Sequence, residues 1–290
     1  MKSKIDIRPS PIAGRWYEAD PRRLAGEVDG YLEEAHLPPL AGEPVAVLAP
    51  HAGLRYSGHV AGAAFAAFMG RTPELVVVAA PMHQAYPAPF LTTAHSAYET
   101  PLGIVPVERS VLAALEAQVA GMSGLHLEAV ANDAEHALEI ELPFLQRALA
   151  ADFSLLPIMV RETNPQALRL LAEKLVEVLA GRDALLVAST DLSHFYPEPQ
   201  ANRLDQELLR RVEQFDPEAV LHAELEGVGY ACGRGAAALV MWAAKALGAT
   251  QAQVVRYATS GATTGDFKQV VGYGAAVFTR PETQTKSDGE

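Results

Sequence analysis

Four runs of apolar, β-favouring residues constrain the fold of this chain most strongly: VAVLA, LVVVAA, SLLPIMV and ALLVAST, at residues 45–49, 75–80, 154–160 and 184–190. None of the runs alternates polar with apolar residues, which is typical of strands covered on both faces in a parallel sheet. Helical spacing of leucines between the runs, as in residues 165–180, completes an αβ alternation. The chain is therefore predicted to form an α/β domain, with a mainly parallel or mixed central sheet flanked by helices.

Three of these strands lead into histidines. His51 and His83 follow the first two runs within a few residues, and Asp191 and His194 follow the fourth. Because parallel strands end at the same edge of a sheet, and open α/β sheets bind ligands at that edge, the three imidazoles are predicted to converge on one crevice. Convergence of imidazoles from distant parts of a chain indicates a metal site.

The lone cysteine, Cys232, lies in the segment GYACGRG, just before a predicted helix at residues 236–247. The N-terminus of that helix and the neighbouring Arg234 favour the thiolate, which is the form that binds metals. The alternative is a small, buried, apolar cysteine. A single cysteine cannot form an internal disulfide, which agrees with a reducing compartment.

Charge and length exclude several classes of protein. The formal net charge of −12 over 290 residues disfavours nucleic acid and anionic membranes as partners. The first residues, MKSKIDIRPSPIAG, lack the apolar stretch of a signal peptide, and no segment approaches the roughly 20 apolar residues of a spanning helix. We expect a cytoplasmic protein with one domain at residues 1–280 and a disordered tail at residues 281–290.

The segment 132–149 carries further candidates. Asn132 and Glu135 resemble a capping box, and the leucines that follow have helical spacing, so that Pro143 is predicted to kink a helix. His136 and Glu139 would then lie one turn apart, and either could reach the site, although an exposed polar helix face explains them almost as well.

The motifs PIAGRWY, PHAG, PMH, EHALEIELPF, STDLSH and ACGR occur in this order along the chain. With them the chain resembles the MEMO family, whose bacterial members are described as the B component of the AmmeMemoRadiSam system. The resemblance runs almost from end to end. It implies a fold like that of the class III extradiol ring-cleaving dioxygenases, the LigB-like fold, with a vestibule formed by His51, His83, His194 and Cys232.

The resemblance also implies roles for these residues. His51 and His83 would be metal ligands, with Cys232 in the place where the dioxygenases carry a carboxylate, and His194 would act as the general acid or base. From its position in the sequence, Asp191 is a further candidate catalytic residue, which could orient an imidazole or bind the ion itself, the alternative being a cap for the following turn. His136, Glu139 and Arg234 would support them from outside the ligand set. The strand end AAPMHQ differs from the Gly-Pro-Ser-His-His run of many relatives, which alters the outer pocket and not the ligands.

Three functions agree with this pattern. The first is an oxidoreductase resembling a dioxygenase, with Fe(II), or copper, and a small aromatic or redox-active substrate. The second is a zinc hydrolase in which a bound water is acidified. The third is a non-catalytic protein that handles metal or binds partners, for which the resemblance implies a radical-SAM protein and an AMMECR1-like protein.

Overall fold

The structure is a computed structural model that describes residues 6–123 and 125–282. Its strands are β1 (Ile7–Arg8), β2 (Glu43–Ala49), β3 (Leu75–Pro81), β4 (Phe90–Thr93), β5 (Ala97–Thr100), β6 (Gly103–Pro106), β7 (Leu127–Val130), β8 (Ser154–Val160), β9 (Ala184–Ser189), β10 (His194–Tyr196), β11 (Gln251–Thr259) and β12 (Val270–Arg280). Its helices are α1 (Pro21–Glu33), α2 (Leu54–Phe65), α3 (Arg109–Val119), α4 (Leu142–Ala148), α5 (Pro165–Leu179), α6 (Glu198–Glu213), α7 (Pro217–His222), α8 (Arg234–Ala246) and α9 (Gly261–Thr264).

The main sheet is mixed, with a parallel centre. Its strands lie in the order β10-β12-β2-β9-β3-β8-β4-β7, and β11 pairs with β12. The four apolar runs of the sequence form β2, β9, β3 and β8, which pair in parallel and are almost completely buried. Antiparallel strands extend this centre on both sides, through β12 and β4. The predicted α/β fold class is therefore confirmed.

The order of the strands brings the histidines together. β9 lies between β2 and β3, and Ala49 of β2 is in register with Ser189 of β9. Because the three strands run in the same direction, the residues that follow them emerge at one edge of the sheet. The loops that carry His51, His83 and Asp191 therefore meet at this edge, and His51, His83 and His194 line one cavity there.

Helices cover the sheet in two groups. α1, α2 and α4 pack against one another and the sheet, and α5, α7 and α8 form a second group in which α8 contacts β9, β3 and β2. α8 begins close to the sheet because Gly233 has no side chain: a Cβ atom there would overlap the carbonyl oxygen of Ser189. This approach places Cys232 at the sheet edge.

A small second sheet, in the order β1-β5-β6, anchors the N-terminal segment. β5 and β6 form an antiparallel hairpin. Arg8 of β1 is 1% exposed, and it donates hydrogen bonds to Asp133 and Glu139 and to the carbonyl of Glu135. The N-terminal strand therefore holds the segment that carries His136.

The prediction for residues 132–149 was wrong in its local structure. Asn132 has a left-handed backbone with φ of 54° and caps no helix. The segment continues through irregular turns and a 3-10 turn at Glu139–Glu141, and the α-helix begins only at Leu142. Pro143 thus lies in the first turn of α4. Backbone amides in the first turn have no intrahelical acceptor, so proline costs the helix no hydrogen bond there and introduces no kink.

Within the described ranges, no helix combines the length and the apolar character needed to cross a membrane. A tail was predicted at residues 281–290, and residues 283–290 of it lie outside the described residues. The proposed limits of a single domain at residues 1–280 stay a prediction.

Candidate metal centre

Three imidazoles form a compact cluster at the carboxyl edge of the main sheet. His51 follows β2, His83 follows β3, and His136 lies in the irregular segment before α4. One ring nitrogen from each lies within 4.8 Å of the other two. The rings of His83 and His136 stack with centroids 4.9 Å apart, and the His51 ring stands edge-on to both at 5.3 and 5.4 Å.

Glu135 organises two of the three rings. Its Oε1 accepts hydrogen bonds from His83 Nδ1 at 2.9 Å and from the backbone amides of His136 and Ala137, and its Oε2 accepts from the backbone amide of His83 at 2.6 Å. Burial alone would raise the pKa of Glu135, but these hydrogen bonds lower it to about 2. The ionised carboxylate accepts only, so that His83 carries its proton on Nδ1 and presents Nε2.

His51 is the most enclosed of the three rings, with 2% of its surface exposed. Its Nδ1 lies 2.9 Å from Ser189 Oγ, and its backbone amide donates to Asp191 Oδ1 at 2.8 Å. Burial, together with the neighbouring histidines, lowers its pKa well below the usual range, so the ring is neutral and suited to metal binding.

Cys232 contacts this cluster through His51. Its Sγ lies 3.2 Å from His51 Nε2. The group whose ligand atoms all lie within 4.8 Å of one another consists of the three histidines and does not include Cys232. Burial, followed by the charge of Asp191, raises the pKa of the thiol. The expectation of a thiolate stabilised by the helix and Arg234 was therefore wrong: desolvation outweighs the helix terminus, and Arg234 forms an ion pair with Glu224 instead.

Asp191 and His194 both line the same cavity. Asp191 is 4% exposed, and burial raises its pKa to about 7. His194 lies on β10, its Nδ1 has no hydrogen-bond partner among the described residues, and burial lowers its pKa. Glu139 is directed elsewhere: it is fully buried and accepts hydrogen bonds from Arg8, Ser10 and Tyr17.

The cavity above the cluster has a volume of about 570 Å³. Four aromatic side chains line it, those of Trp16, Tyr56, Phe195 and Tyr273, and Trp16 stacks on His136 with ring centroids 4.0 Å apart. Two charged residues also line the cavity. Arg15 is one of them, and Asp191 provides the one carboxylate among the described lining residues.

The donors present fit a transition-metal ion. Each of the three rings has a polar partner near its Nδ1 atom. Ser189 is the partner of His51, and Glu135 is the partner of His83. The carboxylate of Glu135 also lies 3.2 Å from His136 Nδ1. Metal-binding histidines have such partners on the nitrogen that does not face the ion. Imidazole nitrogen suits iron, copper and zinc, and the sulfur beside His51 adds a soft donor.

Sequence reasoning missed Glu135 and Ser189 as supporting residues, and treated His136 as a residue outside the ligand set. A glutamate directly before a histidine, as in Glu135 and His136, was an available signal. Ser189, as the last residue of a buried strand between the two histidine-bearing strands, had no signal of its own, because its neighbours in space come from other strands.

Comparison with known proteins agrees with the motifs. The sequence profile described as "Memo-like protein" matches residues 8–277. The chain is similar to a MEMO1 family protein of Methanopyrus kandleri, with 34% identity over 283 residues that cover 94% of this chain and 99% of the relative. It is also similar to MEMO1 family proteins of Aquifex aeolicus, at 34% identity, and Nitrosopumilus maritimus, at 31%, each covering 94% of this chain and 99% of the relative.

Proposed function

This chain belongs to the Memo-like protein family, and we propose that its three-histidine cluster binds a transition-metal ion, Fe(II) in the first place, for the oxidation of a small aromatic molecule. The observation that carries the proposal is the group of His51, His83 and His136, whose ring nitrogens lie within 4.8 Å of one another. Fe(II) is proposed on the resemblance to the class III dioxygenases, with copper or zinc as alternatives. The fold alone assigns no reaction.

His51 and His83 hold the ion in this proposal, with His136 as the third nitrogen donor. Cys232, beside His51 Nε2, is a further donor and retains the role that the motif resemblance implies for it. A bound Fe(II) or copper ion would supply one-electron chemistry towards oxygen, and zinc would supply Lewis acidity.

The other residues bind the substrate and handle protons. Trp16, Tyr56 and Phe195 provide faces against which a planar ring can stack. His194 lines the cavity and can hold or release a proton there. Asp191, with a pKa of about 7, is a second group that can take up a proton near neutral pH.

Metal titration of the full chain tests the proposal. Metal-free protein is titrated anaerobically with Fe(II), and separately with Zn(II) and Cu(I), for the wild type and for His51→Ala, His83→Ala, His136→Ala and Cys232→Ala. The matched control is His126→Ala, because His126 is exposed and lies outside the cluster. We expect one ion per chain, strong loss in the first three variants and none in the control; a wild type that binds none of these ions refutes the proposal.

A zinc hydrolase is the second candidate. Three histidines are the ligand set of one known class of catalytic zinc site, and Asp191 has a pKa near that of a zinc-bound water. Redox-silent metal in the purified protein, with ester or amide cleavage that a chelator abolishes, would favour it over the oxidation.

A non-catalytic role with a radical-SAM or AMMECR1-like partner is the third candidate. Phe195 at the cavity is 67% exposed, and it offers an aromatic contact to a partner. Partner binding with unchanged affinity in the His51→Ala and Cys232→Ala variants would separate docking from a metal-centred function.

A further inference from the structure

Glu141 is a buried acidic side chain that forms no ion pair with any of the described residues. It ends the 3-10 turn before α4, and none of its surface is exposed. Its Oε1 lies 2.7 Å from Ser189 Oγ, and its Oε2 has no hydrogen-bond partner among the described residues. The charge of Asp191 lies near enough to disfavour a second negative charge. An ionised carboxylate in such surroundings would be strongly destabilising.

The hydroxyl of Ser189 has three polar neighbours and one proton. Its Oγ lies 2.7 Å from the carbonyl oxygen of Ala137, 2.7 Å from Glu141 Oε1 and 2.9 Å from His51 Nδ1. A carbonyl oxygen can only accept, so the serine proton belongs to the contact with Ala137. The other two contacts are hydrogen bonds only if Glu141 and His51 each provide a proton to Ser189.

We propose that Glu141 is a neutral carboxylic acid that donates its proton to Ser189 and thereby acts as a positioning residue for His51. With Glu141 as donor, Ser189 has both lone pairs available for donors, and the second is filled by the N–H at His51 Nδ1. His51 is held as the Nδ1–H tautomer, and its Nε2 keeps a free lone pair.

The contact with Cys232 follows from this assignment. His51 Nε2 can then accept from the Cys232 thiol, whose Sγ lies 3.2 Å away and has the carbonyl oxygen of Asp191 as a second, more distant acceptor at 3.6 Å. Burial also raises the pKa of Glu141 well above its usual range. The protonation state of Glu141 is inferred from these contacts and does not depend on the proposed function. The benefit of this state for metal binding does rest on the proposed function.

Nuclear magnetic resonance of the metal-free full chain tests the protonation state without any variant. The carbon-13 shift of the Glu141 carboxyl is assigned through the backbone, and the nitrogen-15 shifts of the His51 ring report which nitrogen carries the proton. We expect a protonated carboxyl that does not titrate through neutral pH, and a proton on Nδ1 of His51. An ionised Glu141 near neutral pH, or a proton on Nε2, overturns the proposal.

Three variants test the positioning role. Glu141→Gln keeps a donor towards Ser189, so we expect the Nδ1–H tautomer to persist and Zn(II) affinity to change by less than about threefold. Glu141→Leu and Ser189→Ala remove the donor and the acceptor, and we expect a mixed tautomer population with Zn(II) affinity lower by about 10- to 100-fold. Glu218→Gln, at an exposed position on α7, is the control.

The outcomes separate the two proposals. If Zn(II), Fe(II) and Cu(I) all fail to bind while the His51 tautomer follows the pattern above, the metal proposal fails and the inference stands. If Glu141→Gln disturbs the tautomer as strongly as Glu141→Leu, Glu141 is an ionised acceptor and the inference fails. If the leucine variant does not fold, the wild-type spectra and Glu141→Gln still decide.

Discussion

Arg8 and Glu139, which lie 131 positions apart in the sequence, form a buried ion pair with Arg8 Nη1 2.5 Å from Glu139 Oε2. The two side chains are 1% and 0% exposed. Arg8 also pairs with Asp133, so strand β1 is bound to both ends of the segment that carries Glu135 and His136. The N-terminal segment is therefore part of the metal-centre architecture, although it contributes no nitrogen to the cluster.

Arg8→Met is expected to destabilise the protein by about 3 to 5 kcal/mol, because it leaves two carboxylates buried without their cation. The free energy of unfolding from urea titrations measures this. Arg169→Met is the matched control, since Arg169 forms an exposed pair on α5 and should change stability by less than about 0.5 kcal/mol. Equal effects in the two variants would show that the buried pair has no special role.

Glu135→Gln is expected to weaken metal binding by about 10- to 100-fold. The amide cannot accept all the hydrogen bonds that now reach the two carboxylate oxygens, so the His83 and His136 rings lose their common support. Competition with a coloured chelator measures the affinity. Glu218→Gln serves again as the control, and unchanged affinity in Glu135→Gln would contradict the role assigned to Glu135.

Gly233→Ala is expected to destabilise the protein by several kcal/mol, because the new Cβ atom would meet the Ser189 carbonyl and the Thr190 side chain. It should also move Cys232 away from His51. Gly26→Ala, inside α1 where a Cβ meets nothing within 4 Å, should instead stabilise by about 0.5 to 1 kcal/mol. Thermal and urea unfolding of the two variants measure these changes in stability. A shift of stability in the same direction in both variants would contradict the prediction.

Asp205→Asn is expected to alter the pH dependence of stability. Burial raises the pKa of Asp205, whose oxygens accept from the Ser193 amide and the Tyr257 hydroxyl. A carboxyl with a raised folded-state pKa contributes stability below its unfolded pKa of about 3.9 and loses it as pH rises through the folded value. Relative to the wild type, the asparagine variant should therefore gain stability as pH rises through this window.

Tyr257→Phe provides the internal control for Asp205. Removing a donor to the carboxylate should raise the pKa of Asp205 further and steepen the loss of stability with pH. The same change in the Asp205→Asn background should leave the slope unaltered. Urea unfolding at a series of pH values measures all four proteins, and parallel curves throughout would show that Asp205 does not control this dependence.

The strands of the sheet centre could be predicted from the sequence, whereas the local structure around His136 could not. The four apolar runs predicted the parallel centre because a strand buried on both faces needs an unbroken apolar sequence, and this property is local. Helix α5 was predicted to within a residue from its leucine spacing. Residues 132–138 were predicted as helical and are irregular, because contacts with Arg8 and His83 determine their path.

By itself, the sequence determined which strands form the centre of the sheet, that His51 and His83 emerge beside each other, and which family the chain belongs to. Only the tertiary structure decided that His136 completes the cluster, that Glu135 and Ser189 support its rings, and that the Cys232 thiol has a raised pKa. The physical reason is that burial and hydrogen bonding between segments far apart in the chain control ligand orientation and protonation.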